Sequence, residues 1–179
     1  MKTYIALLRG VNVSGQKLIK MVDLQAHFAS CGAVNIRTYI QSGNVVFEHP
    51  ERSSANLRKS LEEHLASKLG FSVPTLVIGA KDFAAIANEN PYPTTLPDFG
   101  KRMYVCFFQK APAVAAVEGI RDFVTDEEQL VVKGVVAFAY YKMGLGRAKL
   151  SSNLIERKLG LATLRNWNSV NALLALANR

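Results

Sequence analysis

The sequence predicts an α+β fold of two sequential ferredoxin-like halves (βαββα-type) packed into one compact body. In residues 1–79, strand-like and helix-like apolar spacing alternates in the order β-α-β-β-α-β, the split βαβ arrangement. Residues 80–179 form a second α+β half that repeats this order less regularly and ends in a helix. With 179 residues, 49% of them hydrophobic, the chain is long enough for one ordinary domain or two small ones. The proline-rich segment at residues 91–97 is the candidate linker.

The first half begins with TYIALLR, an apolar run typical of a strand. Residues 21–31 have apolar side chains at helical spacing, and a glycine follows that ends the predicted helix. NIRTYIQ and GNVVFEH predict two strands joined through Ser42-Gly43-Asn44, because glycine permits a tight turn. Residues 54–69 predict a second helix with a leucine at every fourth position. FSVPTLVIG predicts the closing strand.

In the second half, residues 81–88 predict a short helix before the candidate linker. RMYVCFF then predicts a strand, and a helix follows it. EQLVVKGVVAFAYY predicts two strands that turn at Lys133-Gly134. SSNLIERKLG predicts a helix that ends at Gly160. A final helix, at about residues 169–178, occupies the place where a last strand would be expected.

The net charge of +8 is concentrated at the two ends of the chain. Residues 1–22 contain four lysines or arginines and no acid, and residues 142–179 contain seven against Glu156 alone. If the fold brings these ends together, they form a positive patch that favours phosphate, carboxylate or nucleic acid. The alternative is a basic surface without a specific partner.

Membrane, metal and cofactor chemistry are not indicated. No apolar run reaches the roughly 18 residues that span a bilayer, and the N-terminal residues lack a signal-peptide pattern, so a cytoplasmic protein without a membrane partner is expected. Cys31 and Cys106 have no metal-binding neighbour at the required spacing and are expected to be buried, reduced thiols. His27, His49 and His64 are scattered, and no metal motif is present, so neither a metal site nor a cofactor is predicted.

The first candidate site is the stretch YIALLRGVNVSGQKLIKM, in which a strand runs into glycines, asparagine and two lysines. A turn permitted by these glycines would present Arg9, Asn12, Lys17 and backbone N–H groups to an anion. The structural alternative is a strand-to-helix connection that needs glycine for its geometry alone.

The same stretch approaches the phosphate loop G-x-x-x-x-G-K-[ST] without matching it. Gln16 is inserted before the lysine, and Leu18 stands where a hydroxyl would bind magnesium. A nucleoside-triphosphate loop is therefore not predicted.

The second candidate site is YIQSGNVVF, where Ser42 and Asn44 flank a glycine. An amide and a hydroxyl at such a turn can orient a ligand. The same residues are also what a hairpin needs to bend, so this motif alone is a weak signal.

The third candidate site is TLRNWNSV, which precedes the last helix and contains Arg165, Asn166 and Trp167. This composition suits a planar, hydrogen-bonding group held against an aromatic face, and the guanidinium can bind phosphate or carboxylate in a bidentate way. The structural alternative is that Asn168 caps the helix and the tryptophan packs in the core.

Together, YIALLRGVNVSG, YIQSGNVVF and KLGLATLRNWNSV resemble the hallmark stretches of an uncharacterised bacterial family, known as the domain of unknown function number sixteen ninety-seven. The resemblance extends from about Tyr4 to Leu174. It implies an α+β body with ferredoxin-like halves and supplies no established activity. The family usually has Val-Gly-Gly where this chain has Val13-Ser14-Gly15, and Thr-Thr-Arg where it has Thr163-Leu164-Arg165.

We expect the motifs to converge so that Arg9, Asn12, Asn44 and Arg165 line one concave surface. The leading interpretation is a binding module for an anionic, phosphate-bearing ligand, either nucleic acid or a nucleotide-like small molecule. A metal-independent enzyme that holds an anionic substrate is the second interpretation, although no catalytic residue can be assigned. A structural or oligomerising protein is the third.

Overall fold

The computed structural model describes residues 1–13 and 15–179, so that Ser14 of the opening motif lies outside the described residues. Within these ranges the strands form two four-stranded sheets, and all neighbouring strands are antiparallel. The chain divides into two compact units, residues 1–85 with 172–179 and residues 86–171. This architecture confirms the predicted α+β fold.

The elements of the first unit are β1 (Lys2–Leu8), α1 (Met21–Ser30), β2 (Val34–Tyr39), β3 (Asn44–His49), α2 (Ser54–Leu69), β4 (Thr75–Gly79) and the first part of α3 (Ala80–Asn88). The strand order of its sheet is β2-β3-β1-β4, and α1 and α2 pack on the same face of this sheet. Alternate residues of β1 pack against the apolar faces of α1 and α2, because side chains point to one face of a strand at every second position. This core includes Tyr4, Ala6, Leu8, Leu24, Phe28, Leu57, Leu61 and Leu65.

The elements of the second unit are α4 (Phe99–Arg102), β5 (Met103–Phe108), α5 (Val114–Gly119), β6 (Glu128–Lys133), β7 (Val136–Tyr141), α6 (Ser152–Leu159), β8 (Ala162–Asn166) and the start of α7 (Trp167–Ala177). Its sheet has the equivalent strand order, β6-β7-β5-β8. Cys106, Ala137 and Ala162 pack with Leu154, Ile155 and Leu159 of α6 in a second core.

The two units repeat the same backbone contacts where their first strand ends. The matching bonds are Leu8 N–H to Gly43 and Arg9 N–H to Pro74 in the first unit, and Phe108 N–H to Val135 and Gln109 N–H to Leu161 in the second. In both units a glutamate of the second helix also accepts a hydrogen bond from the first N–H of the last strand: Glu62 from Thr75, and Glu156 from Ala162. Each unit therefore provides an internal comparison for the other.

The units differ most in the connection that follows the first strand. Residues 9–20 join β1 to α1, whereas the shorter segment 109–113 joins β5 to α5. Since the second unit completes the same fold with the shorter connection, the longer one is not required by the topology. Long loops on a regular scaffold often carry function.

The sequence interpretation missed strand β8. Two of its residues, Thr163 and Arg165, are polar but buried, so the segment lacks the apolar pattern by which a strand is recognised. The strand forms because its backbone pairs with β5. The helix that follows begins at Trp167, two residues before the predicted start at 169.

The compact units also differ from the predicted division between residues 79 and 80. Helix α3 continues directly from β4, so the boundary lies within that helix. The candidate linker at residues 91–97 lies inside the second unit, where Tyr140 Oη donates to the Pro97 carbonyl at 2.8 Å. The last residues of α7 belong to the first unit, where Arg37 Nη1 donates to the Leu176 carbonyl at 2.8 Å. No helix in the described ranges is long and apolar enough to cross a membrane.

Candidate functional site

The described residues of the β1–α1 loop, 9–13 and 15–20, include two backbone hydrogen bonds that link its two sides. The Asn12 N–H donates to the Lys17 carbonyl at 3.2 Å, and the Gln16 N–H donates to the Val13 carbonyl at 3.0 Å. Asn12 and Lys17 have φ angles of 55° and 47°, a left-handed conformation that few residues other than glycine adopt. Backbone conformations of this kind concentrate at functional sites, where the surrounding contacts maintain them.

Asn12 ties this loop to the β2–β3 turn, residues 40–43. Its Nδ2 donates to the carbonyl of Ile19 at 2.9 Å and to that of Gln41 at 2.8 Å, and its Oδ1 accepts from the Ile19 N–H at 2.8 Å. The first two sequence motifs therefore meet at one end of the first sheet. The amide that was predicted to bind a ligand holds the two segments together.

Lys17 ties the loop to the connection between α2 and β4. Its Nζ donates to the Ser72 carbonyl at 2.7 Å and lies 5.8 Å from the centroid of the Phe71 ring. An ammonium group has three N–H donors, so this contact leaves donors for a ligand.

Arg9, at the start of the loop, is half-buried.

The β2–β3 turn has a strained backbone and a buried amide beneath it. Ile40 has a φ of 48°, unusual for a β-branched residue, and its side chain is 54% exposed. Asn44 has no exposed surface, and its Nδ2 donates to the Tyr39 carbonyl at 3.2 Å and to Ser42 Oγ at 2.8 Å. In the second unit, Val136 occupies the register position of Asn44. The fold alone does not require an amide there, and this one supports the turn.

Replacing Asn44 with alanine is expected to lower the free energy of unfolding by about 1–3 kcal/mol, because the turn loses the hydrogen bonds to Tyr39 and Ser42 and leaves the partly buried Tyr39 carbonyl without this donor. Urea denaturation measures the change. Asn153→Ala, on an exposed site of α6, is the control and should change stability by less than about 0.5 kcal/mol. Equal stability of the two variants would show that the Asn44 amide does not hold the turn.

A cavity of about 600 Å³ opens beside the loop; we call it the α1 cavity. Its lining residues are Asn12, Leu18, Ile19, Lys20, Met21, Asp23, His27, Gln41 and Leu69. Asn12 is the predicted site residue in this lining. The sequence interpretation missed Lys20, Asp23 and His27, although the spacing of the last two, one helical turn apart, places them on the same face of α1.

Two histidines that look unrelated in the sequence meet in the structure. The rings of His27 on α1 and His64 on α2 are edge to face, with centroids 5.4 Å apart. Burial lowers the pKa of His27, with further lowering by His64 and Lys68 and an opposing effect from Asp23. His27 is therefore neutral at pH 7. His64 Nε2 is buried without a hydrogen-bond partner among the described residues.

The third motif has a different environment, in the second unit. Arg165 is only 8% exposed, and its Nη1 donates to Thr163 Oγ1 at 2.7 Å and to the Leu164 carbonyl at 2.9 Å. Burial lowers the pKa of this guanidinium to about 10. Its predicted contact with an anion stays a prediction, as does the common surface with Arg9.

The remaining residues of this motif organise the start of α7. Asn166 Oδ1 accepts from the Ser169 N–H at 2.9 Å, so Asn166 caps the helix, and the alternative that assigned the cap to Asn168 is wrong. The Trp167 ring packs edge to face against Phe99, with centroids 5.7 Å apart. Among the described residues, no three His, Cys, Asp or Glu side chains are close enough to hold a metal ion.

Comparison with known proteins gives a family and a fold. The model of the family described as "Protein of unknown function (DUF1697)" matches residues 1–138. The fold is similar to the structure of the conserved bacterial protein SP0830 from Streptococcus pneumoniae, with a TM-score of 0.76 and 22% sequence identity over 98% of each chain. A search of curated proteins finds no match. Because the family model matches most of its length, the chain belongs to this family of unknown function.

Proposed function

We propose that the protein binds a small anionic, phosphate-bearing molecule, such as a nucleotide-like metabolite, in the α1 cavity. The observation that carries this proposal is the cavity itself. Its volume of about 600 Å³ lies within the range of roughly 300–1,000 Å³ that ligand pockets occupy. Part of its wall comes from the β1–α1 loop, and the second unit forms the same fold with a shorter connection at that place. That loop and the turn beside it also contain left-handed residues other than glycine.

The charges around the cavity favour an anion. Lys20 lines it, and Lys68 is near enough to lower the pKa of His27, whereas Asp23 is the acid among the described lining residues. Lys20 is the N-cap residue of α1, and its side chain makes no capping hydrogen bond to the helix. The first N–H groups of a helix have no partner within it, and the helix dipole adds positive potential there. A phosphate at this position would be held by those N–H groups and by the Lys20 ammonium.

The apolar part of the lining indicates what else the ligand contains. Leu18, Met21 and Leu69 offer an apolar wall, which suits a ring or a short hydrocarbon attached to the anionic group. A local concave site with one lysine in its lining fits a small molecule better than a nucleic acid, whose backbone needs an extended basic track.

A thermal-shift screen tests the proposal. The panel pairs phosphorylated metabolites with their unphosphorylated counterparts, and it includes nucleoside monophosphates, sugar phosphates and pyrophosphate. A ligand of the proposed class raises the melting temperature, because it binds only the folded state. No shift with any phosphorylated compound would overturn the proposal. Binding to nucleic acid with a steep negative salt dependence, and to none of the small molecules, would replace it with the nucleic-acid interpretation.

Lys20→Gln is expected to weaken the ligand found in this screen about tenfold or more, because a hydrogen bond to a charged group contributes about 1.5–3 kcal/mol. Isothermal titration calorimetry measures the affinity. Lys110→Gln is the matched control, since Lys110 is an exposed lysine in the shorter connecting loop of the second unit. Equal affinities of the two variants would place the anion elsewhere.

A metal-independent enzyme acting on the same class of ligand is the second candidate. One observation favours it, the position of His27 in the wall of the cavity. Burial lowers the pKa of this imidazole, and a neutral histidine is able to accept a proton from a bound substrate. Product analysis after incubation with each ligand of the screen separates an enzyme from a binding module.

A further inference from the structure

We propose that His27 is the side chain of the α1 cavity that contacts the ligand's anion and that it takes up a proton when the anion binds. This inference rests on the proposed function and names the recognition group of the same site.

The geometry leaves His27 available. Its ring lines the cavity, and no group among the described residues makes a hydrogen bond with it. By contrast, the Asn12 amide, the predicted polar group of the lining, already donates hydrogen bonds to the carbonyls of Ile19 and Gln41. The imidazole is partly exposed in the cavity wall and its ring nitrogens are not engaged by the described residues, so both are accessible to a ligand.

The charges near His27 explain why a proton would accompany the anion. On its own helix, Asp23 favours the charged imidazolium. Burial opposes the charged form most strongly, and His64 and Lys68 on α2 oppose it further. Lys20, which also lines the cavity, adds positive charge at its rim. These opposing effects keep His27 neutral at pH 7 in the free protein.

A bound anion changes this balance. An opposite charge within about 4–6 Å of a titratable group favours its charged form, so a phosphate oxygen beside the ring raises the pKa of His27. The proton comes from solvent and moves to the free ring nitrogen, and no covalent bond is formed or broken. The imidazolium then donates a charge-assisted hydrogen bond to the anion. Affinity for the anion should therefore rise as the pH falls towards the pKa of His27 in the complex.

Nuclear magnetic resonance titration of the three histidine Cε1–H signals tests this in the intact protein. The probe is inorganic sulfate, which mimics phosphate and keeps a constant charge above pH 5, compared with chloride at equal ionic strength. His27→Gln assigns the signal. His49 is the internal control, because its ring is already hydrogen-bonded by the Cys31 carbonyl and the Glu51 N–H. We expect sulfate to raise the measured pKa of His27 by about 1 and to leave that of His49 unchanged.

The outcomes separate this inference from the proposed function. If sulfate moves the two histidines equally or not at all, while the screen identifies a phosphorylated ligand, His27 is not the anion contact and the proposed function stands. A second result would also overturn the inference: the phosphorylated ligand binds wild type and His27→Gln with the same pH dependence. A screen without any phosphorylated ligand overturns the proposed function, and the inference fails with it.

Discussion

Replacing Arg165 with alanine is expected to lower the free energy of unfolding by about 3 kcal/mol or more. The side chain is buried in the second unit and donates to Thr163 Oγ1 and to the Leu164 carbonyl. Its removal leaves both acceptors without this donor and creates a void, and each of these effects destabilises a folded protein. Urea denaturation followed by the fluorescence of Trp167, the single tryptophan of the chain, measures the change close to the substitution.

Arg157→Ala is the matched control, because Arg157 is an exposed arginine of α6 in the same unit. It should change the free energy of unfolding by less than about 0.5 kcal/mol. The sequence interpretation, in which Arg165 binds an anion, predicts the opposite result for Arg165→Ala, an intact fold with weaker ligand binding. The two variants therefore distinguish a structural arginine from a binding arginine.

Replacing Gly43 with alanine is expected to lower the free energy of unfolding by about 2–4 kcal/mol. Gly43 has a φ of 71°, and an added Cβ would lie 2.5 Å from Val11 Cγ2 and 2.7 Å from Leu8 Cβ. Both neighbours are buried in the first core, so neither is able to move without disturbing its own packing. The cost combines an unfavourable backbone conformation with overpacking. Because this turn holds Gln41 at the α1 cavity, ligand binding should weaken as well.

Gly134→Ala isolates the backbone contribution. Gly134 makes the equivalent β6–β7 turn with a φ of 57°, and an added Cβ there meets nothing within 4 Å. This variant should lose only about 1 kcal/mol, the cost of a left-handed conformation for alanine. If both substitutions destabilise equally in urea denaturation, the contact of Gly43 with Leu8 and Val11 does not determine the cost.

The α1 cavity shows how far the sequence leads towards the site. The glycines and bases of the opening stretch singled out the loop that lines part of the α1 cavity, and YIQSGNVVF singled out the turn that this loop contacts. Their role in binding a ligand stays a prediction. The sequence did not show that the Asn12 amide is hydrogen-bonded within the protein, nor that the His27 ring packs against the His64 ring. The contacts of Asn12 with Gln41 and of His27 with His64 join residues far apart in the chain, and one sequence carries no signal for them.

By itself the sequence determined the elements whose causes are local. Helix α2 has the predicted bounds of residues 54–69, because Ser53 caps its start, leucines repeat along its buried face and Gly70 takes the left-handed conformation at its end. The β6–β7 hairpin turns at Gly134 for a similar local reason. Only the tertiary structure decided that the segment ATLRN is a strand and that Arg165 within it is buried. Pairing with β5 supplies the backbone hydrogen bonds of that segment, and its own residues lack the apolar alternation that would have predicted them.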